Sequence, residues 1–64
     1  MIRVNGEVVE VVDESVAALV ARLGVEPRGV AVALDGEVVR RADWPTTVVP
    51  DGAIVEIVTA VAGG

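Results

Sequence analysis

The sequence contains neither cysteine nor histidine. Without cysteine it cannot form a disulfide or a thiolate zinc site, and without histidine it lacks the usual general base and the commonest metal ligand. We therefore expect no metal-bound or triad-type active site in these 64 residues. Lysine is also missing, and Trp44 is the single aromatic residue.

Positive charge is scarce as well. The formal net charge is −5, the opposite of the basic balance that nucleic-acid-binding proteins show, so we expect no nucleic-acid partner. The N-terminus lacks the charged start and long apolar segment of a secretory signal. No apolar run approaches the roughly 18 residues that a membrane-spanning helix needs. We expect a cytoplasmic protein with no membrane contact that is monomeric when free.

What the sequence does have is valine-rich apolar content. Its hydrophobic fraction is 53% over 64 residues, which is enough for one small domain spanning residues 1–64. A chain of this size buries only about 60% of the surface that its unfolded form exposes, so a rich core is required.

Turn and helix signals divide the first half of the chain. Asn5-Gly6 suits a two-residue hairpin between two short valine-rich strands, because both turn residues need positive φ. The period then changes to that of a helix, which we expect to begin after an N-cap at Ser15 and to end at Gly24. The apolar face of this helix consists of Val16, Leu19, Val20 and Leu23.

The second half reads as short strands. "VAVAL" predicts a buried strand, Asp35-Gly36 a turn, and "EVV" a further strand. "RRADWP" predicts an irregular connection, and "TTVVPDG" a short extended piece followed by a turn. The last strand is expected from about Ala53 to Val61, which gives the order β-β-α-β-β-β. "VNGEVV" and "LDGEVV" share turn chemistry, and we interpret the likeness as a common turn type and not as duplication.

Side chains of the last strand alternate between two faces. Glu56 should face water, which places Ile54, Val58 and Ala60 beside it and directs Val55, Ile57, Thr59 and Val61 toward the helix. Val58 and Ala60 then form an exposed apolar surface next to the C-terminus. We predict that this surface docks a partner protein.

The sequence ends in "TAVAGG". Glycine has no side chain, so Gly63, with Ala62 before it, could thread a narrow channel and present the Gly64 carboxylate at its far end. That carboxylate is ionised at neutral pH, since its ordinary pKa is about 3.3–3.7. It can attack the α-phosphate of ATP to give an acyl-adenylate. We expect residues 61–64 to be a flexible tail.

These features resemble the ThiS family of sulfur carriers over essentially the whole chain. The resemblance is carried by "VNGE", "GVAVALDGEVV", "RADW" and "DGAIVEIVTAVAGG". Arg41 and Trp44 match the R-x-x-W element of that family. The resemblance implies an α+β ubiquitin-like β-grasp fold, in which one helix packs on one face of a mixed five-stranded sheet. The first and last strands would lie parallel in its centre.

The resemblance also implies a reaction cycle. A ThiF-like enzyme would adenylate Gly64 with ATP, and sulfur from a cysteine desulfurase would convert the adenylate into a thiocarboxylate. A ThiG-like thiazole synthase would then take the sulfur. The protein would be a substrate and not an enzyme, with no bound cofactor, since the ATP is used by its partner.

Two residues of the R-x-x-W element have alternative interpretations. Trp44 either packs at the edge of the core, in which case its indole N–H needs a backbone or water partner, or anchors a partner enzyme. Arg41, with its neighbour Arg40, is either a solvated cation or a contact for an acidic partner surface. We retain Arg41 and Trp44 as candidate docking residues beside Val58 and Ala60.

Other functions remain open at this point. The thiocarboxylate could serve molybdopterin synthesis, tRNA thiolation or cysteine synthesis. Alternatively, the chain could be a ubiquitin-like interaction module, or a modifier that forms an amide through the same tail. A modifier would appear as a conjugate on lysines of other proteins, whereas a plain interaction module would tolerate the loss of Gly64.

Overall fold

The computed structural model describes residues 1–11, 13–26 and 28–59. The chain begins with strand β1 (Ile2–Val4) and strand β2 (Glu7–Val9), followed by strand β3 (Glu14–Ser15) and helix α1 (Val16–Leu23). Strands β4 (Val30–Leu34) and β5 (Glu37–Val39) come next, and then a 3-10 helix (Arg41–Thr46), strand β6 (Val48–Val49) and strand β7 (Ile54–Thr59).

Five of the described strands form one mixed sheet in the order β2-β1-β7-β4-β5. The first and last strands pair in parallel in its interior, with Arg3 opposite Ile54 and Val4 opposite Val55. β4 runs antiparallel to β7 and continues the pairing as far as Thr59, which lies opposite Val30. The fold expected from the resemblance is therefore confirmed: α1 packs on one face of a mixed five-stranded sheet.

Local signals placed the hairpin turn and the helix ends correctly. Asn5 and Gly6 both have positive φ, at 50° and 85°, as the two central residues of a type I′ turn require. The Ser15 side chain accepts a hydrogen bond from the Ala18 amide and so caps the helix N-terminus. Gly24 ends the helix in the left-handed region, and its amide donates to the Ala21 carbonyl.

The core lies between α1 and the sheet. The helix contributes residues from its predicted apolar face, and the central strands contribute the side chains opposite them. The buried residues are Ile2, Val4, Val11, Val16, Leu19, Val20, Val32, Trp44, Val49, Ala53 and Val55. Burial of these apolar side chains is what holds so short a chain together.

Two features of the connection to the last strand differ from expectation. The segment predicted to be irregular is a 3-10 helix, which contacts both α1 and β3. A second, two-stranded sheet forms where Glu14 and Ser15 pair with Val49 and Val48. Strands of two residues have no periodicity to read, so only the fold could reveal this pairing.

Glu14 and Arg22 form an ion pair across the start and end of α1. The Arg22 guanidinium donates through Nε and Nη2 to both carboxylate oxygens, the first at 3.1 Å. These hydrogen bonds lower the pKa of Glu14 below its ordinary 4.5 and raise that of Arg22. The exposed N-terminal ammonium contacts Asp51 and lowers the pKa of that carboxyl in the same way.

The Glu14 pair predicts a pH dependence of stability. Because the folded-state pKa of Glu14 lies below the unfolded one, the pair stabilises the fold above the unfolded value of 4.5. That contribution is lost as the pH falls through the folded-state pKa. We expect Glu14→Gln to lower Tm slightly at neutral pH and to match the wild type in acid. Thermal unfolding across this pH range checks it, with Glu37→Gln as the control for loss of one exposed charge.

Candidate functional site

The functional group predicted from the sequence is the carboxylate of Gly64. It lies outside the described residues, as do Ala60, Val61, Ala62 and Gly63. The prediction of a flexible tail over residues 61–64 falls there too. What the structure does describe is the strand that carries this segment and the surfaces around it.

β7 delivers the chain to that segment from the middle of the sheet. Val55 is fully buried, Ile57 is half-buried, and Glu56 is exposed, as the alternation predicted. Thr59, which we placed on the buried set, is exposed instead. It lies beyond the last residue at which β7 pairs with β1, so less of the molecule covers it.

The sheet face opposite α1 is apolar and open to solvent. We call it the outer face, and it consists of Val8, Ala31, Val38, Ile54 and Val58, which the strand register places on one side. Val58 is 61% exposed and Val38 72% exposed. An apolar patch of this kind on a small domain marks a candidate interaction surface.

Two charged side chains interrupt this outer face. Arg3 lies between Val8 and Ile54 in the register, and Glu56 lies opposite Ala33. Both are exposed. The face therefore combines apolar contact area with one cation and one anion. Complementary charges on a docking partner would pair with these two and fix its orientation. Val58, the docking residue predicted from the sequence, belongs to this face.

Trp44 has a packing role. Its ring is only 4% exposed and belongs to the core, and its Nε1–H donates to the Val39 carbonyl at 3.0 Å. The Arg41 guanidinium lies over the ring, 5.0 Å from the ring centroid, which is cation–π geometry. The packing interpretation of Trp44 is thereby confirmed. Any docking contact by this pair would be made chiefly by Arg41, the exposed member.

The structure does not bring these two predicted docking elements onto one surface. The 3-10 helix that carries Arg41 and Trp44 contacts α1, so the pair belongs to the helix layer. Val58 lies on the opposite face of the sheet. A partner that touched both would have to wrap around the edge of the domain.

We expect Trp44→Phe to destabilise the fold by about 1–3 kcal/mol. Phenylalanine keeps most of the buried ring but has no N–H, so the Val39 carbonyl loses its donor. Urea unfolding followed by circular dichroism measures the change, since the substitution removes the only tryptophan fluorophore. A loss below about 0.5 kcal/mol would mean that water replaces the indole at this carbonyl.

A groove of about 280 Å³ lies beside the end of β7. The first hairpin, the end of α1 and the last residues of β7 form its walls. It is lined by Val4, Asn5, Glu7, Val9, Leu23, Val25, Ile57 and Thr59. The lining is mostly apolar, and Glu7 is its single ionisable side chain. It offers shape and apolar contact but no acid–base pair.

Sequence reasoning missed the role of the two turn residues that flank β7. Asn5 and Asp35 were recognised only as turn formers, yet both hydrogen-bond to the backbone of this strand. The signal that could have found them is the repeated Asx-Gly-Glu-Val-Val pattern. Its two copies lie in the hairpins β1–β2 and β4–β5, which flank β7 on either side.

Among the described residues, no three aspartate or glutamate side chains are grouped so as to hold a metal ion. Within the same ranges, no helix has the length and apolar character that crossing a membrane requires.

Comparison with known proteins agrees with the fold. The sequence model of the ThiS family matches residues 2–64. A crystal structure of a thiamine biosynthesis protein (ThiS) from Geobacter metallireducens is 34% identical, with a TM-score of 0.82, and the alignment covers 98% of this chain and 97% of that one. A solution NMR structure of a thiamine biosynthesis protein from the same organism is also 34% identical, with a TM-score of 0.77 and coverage of 98% and 86%. No curated protein sequence matches.

Proposed function

Because the chain belongs to the ThiS family of small sulfur carriers, we propose that it carries sulfur as a thiocarboxylate on Gly64 for thiazole formation in thiamin biosynthesis. The observation that carries the proposal is the family match, which extends through the two terminal glycines to residue 64. The likeness to a thiamine biosynthesis protein at 34% identity over nearly the whole chain supports the thiamin pathway.

The first step is activation of the carboxylate. One Gly64 carboxylate oxygen attacks the α-phosphorus of ATP, and pyrophosphate leaves, which gives a glycyl-adenylate. A ThiF-like adenylating enzyme supplies the ATP site, so the carrier itself needs no bound cofactor. The absence of a side chain at the last two positions leaves the acyl carbonyl accessible inside the narrow site of that enzyme.

The second step is transfer of sulfur. When hydrosulfide attacks the glycyl carbonyl, AMP leaves and a thiocarboxylate remains. When a cysteine desulfurase delivers the sulfur as a persulfide, the product is an acyl disulfide, and a thiol must then reduce its S–S bond to free the thiocarboxylate. The carrier has no cysteine of its own to compete in this exchange.

The third step is delivery to a ThiG-like thiazole synthase. Both enzymes must hold the carrier by its folded domain, because a few residues of tail offer little area for recognition. The outer face around Val58 is the surface best suited to this, being apolar, exposed and continuous with the strand that leads to the tail. An enzyme docked on this face would lie against β7, the strand that leads to the reacting residue, Gly64.

The intact mass of the carrier tests the chemistry. After incubation with ATP, a ThiF-like enzyme and sulfide, we expect one oxygen to be exchanged for one sulfur, with fragmentation placing the change on Gly64. An unchanged mass, from an enzyme that is active on another carrier in the same assay, would refute the thiocarboxylate and favour an interaction module.

The client of the sulfur is tested separately. The thiocarboxylated carrier is offered to a ThiG-like thiazole synthase with its other substrates and, in parallel, to a molybdopterin synthase large subunit. We expect thiazole to form in the first reaction alone. Sulfur transfer only in the second would keep the carrier chemistry and reassign the pathway.

A further inference from the structure

The two hairpin turns of the sheet both hydrogen-bond to the same strand, β7. In the first turn, the Asn5 side chain accepts a hydrogen bond from the Ile57 amide at 2.8 Å and donates to the Ile57 carbonyl at 3.1 Å. In the second turn, the Asp35 carboxylate accepts from the Ile54 amide at 2.8 Å, and its own backbone amide donates to the Ile54 carbonyl at 2.7 Å. Each turn thus satisfies both backbone groups of one residue of β7.

Strand direction sends the same turn to opposite ends of β7. β4 runs antiparallel to β7, so the turn that follows β4 reaches the beginning of β7 at Ile54. β1 runs parallel to β7, so the turn that follows β1 reaches toward its carboxyl end, at Ile57. The shared turn type therefore gives one anchor at the entry of the strand and one near its exit.

At the exit, the Asn5 side chain takes the place of a strand backbone. The parallel ladder between β1 and β7 runs through the Arg3 amide on the Ala53 carbonyl at 3.0 Å and the Asn5 amide on the Val55 carbonyl at 2.9 Å. The next residue of β7 in this ladder is Ile57, but no backbone of β1 lies beside it, because the chain has already turned into β2. The Asn5 side-chain amide extends the ladder by that one step.

We propose that Asn5 is a positioning residue for tail activation: it fixes the exit of β7, and with it the point from which residues 60–64 reach the adenylating enzyme. This inference rests on the proposed carrier function. The ends of strands are among the least stable parts of a fold. We expect the adenylating enzyme to bind the carrier in which Asn5 is hydrogen-bonded to Ile57. Its apparent affinity then falls in proportion to the fraction of carrier in which these hydrogen bonds are broken.

The two anchors need different chemistry. Ile57 presents both a donor and an acceptor to a side chain, which the amide of Asn5 matches and a carboxylate cannot. At Ile54 the Asp35 side chain has to supply only an acceptor, because the backbone amide of Asp35 donates to the Ile54 carbonyl. Asn5→Asp therefore removes the hydrogen bond to the Ile57 carbonyl and keeps only the one from the Ile57 amide, whereas Asp35→Asn keeps its whole anchor. Asp35, with φ of 49°, shows that aspartate adopts this turn conformation.

The test measures KM for the carrier and kcat in adenylation by a ThiF-like enzyme, followed by ATP–pyrophosphate exchange. We expect Asn5→Asp to raise KM by up to about fivefold, the limit set by the loss of one net hydrogen bond, with kcat unchanged. Asp35→Asn should leave KM within about twofold of the wild type. A wild-type carrier that is not adenylated would refute the proposed function itself, and the role of Asn5 would be refuted with it.

With an adenylated wild type, three results would overturn the inference alone. These are a KM for Asn5→Asp equal to the wild-type value, an equal rise for both variants, or a fall in kcat at constant KM. Asn5→Gly keeps the positive φ of the turn without any side chain, and it serves if the aspartate variant folds poorly. It should raise KM and also speed hydrogen exchange at the Ile57 amide, and unchanged exchange there would equally count against the anchor.

Discussion

We expect deletion of Gly64 to abolish adenylation by a ThiF-like enzyme while the domain stays folded. The deletion leaves a carboxylate on Gly63, but it withdraws the reacting atoms by one residue, about 3.3–3.6 Å of extended chain. A displacement of this size is large against the positional tolerance of a reacting pair. All of the buried core residues given above lie at or before Val55. The measurements are ATP–pyrophosphate exchange and the thermal unfolding curve.

Gly64→Ala is the matched control for chain length. The alanine variant has its terminal carboxylate at the wild-type position and adds one methyl group on the α-carbon. It should therefore retain part of the activity that the deletion loses. If the deletion variant were adenylated as fast as the wild type, the terminal glycine would not be the reacting residue. The chain would then be better described as an interaction module.

The second large effect is on stability. Leu19 is fully buried on the sheet-facing side of α1, with an exposed fraction of 0%. Truncation to alanine removes buried methyl groups and leaves a cavity, which costs about 2–5 kcal/mol. Stabilities of about 0.05–0.15 kcal/mol per residue give this chain of 64 residues a total of roughly 3–10 kcal/mol. Leu19→Ala should therefore remove a large part of the total stability and lower the urea midpoint accordingly.

Urea unfolding followed by tryptophan fluorescence measures this loss, because Trp44 is in the same core. Val38→Ala, at a position 72% exposed in an edge strand, removes methyl groups from the surface and should cost less than about 1 kcal/mol. Similar midpoints for the two variants would mean that the core around α1 relaxes to fill the cavity. Together with the Gly64 deletion, Leu19→Ala separates the chemistry of the tail from the stability of the domain.

The elements that depend on a few neighbouring residues could be predicted from the sequence. The Asn5-Gly6 hairpin follows from the backbone conformations that those two residues tolerate, and the limits of α1 follow from Ser15 and Gly24. The assignment of Val55 and Glu56 to opposite faces of the last strand follows from alternation alone. Strand order came from the resemblance to a known family, because periodicity does not specify which strands pair.

The sequence by itself determined which reactive side chains the molecule has and which it lacks. The absence of cysteine and histidine, the amphipathic helix and the glycines at positions 63 and 64 can all be read without a fold. The tertiary structure decided which distant residues come into contact. It placed Asn5 on Ile57, 52 positions along the chain, buried Trp44 under α1 with Arg41 over its ring, and paired two-residue strands that have no local signal. Such contacts exist only once loop closure brings distant segments together, and no local propensity encodes them.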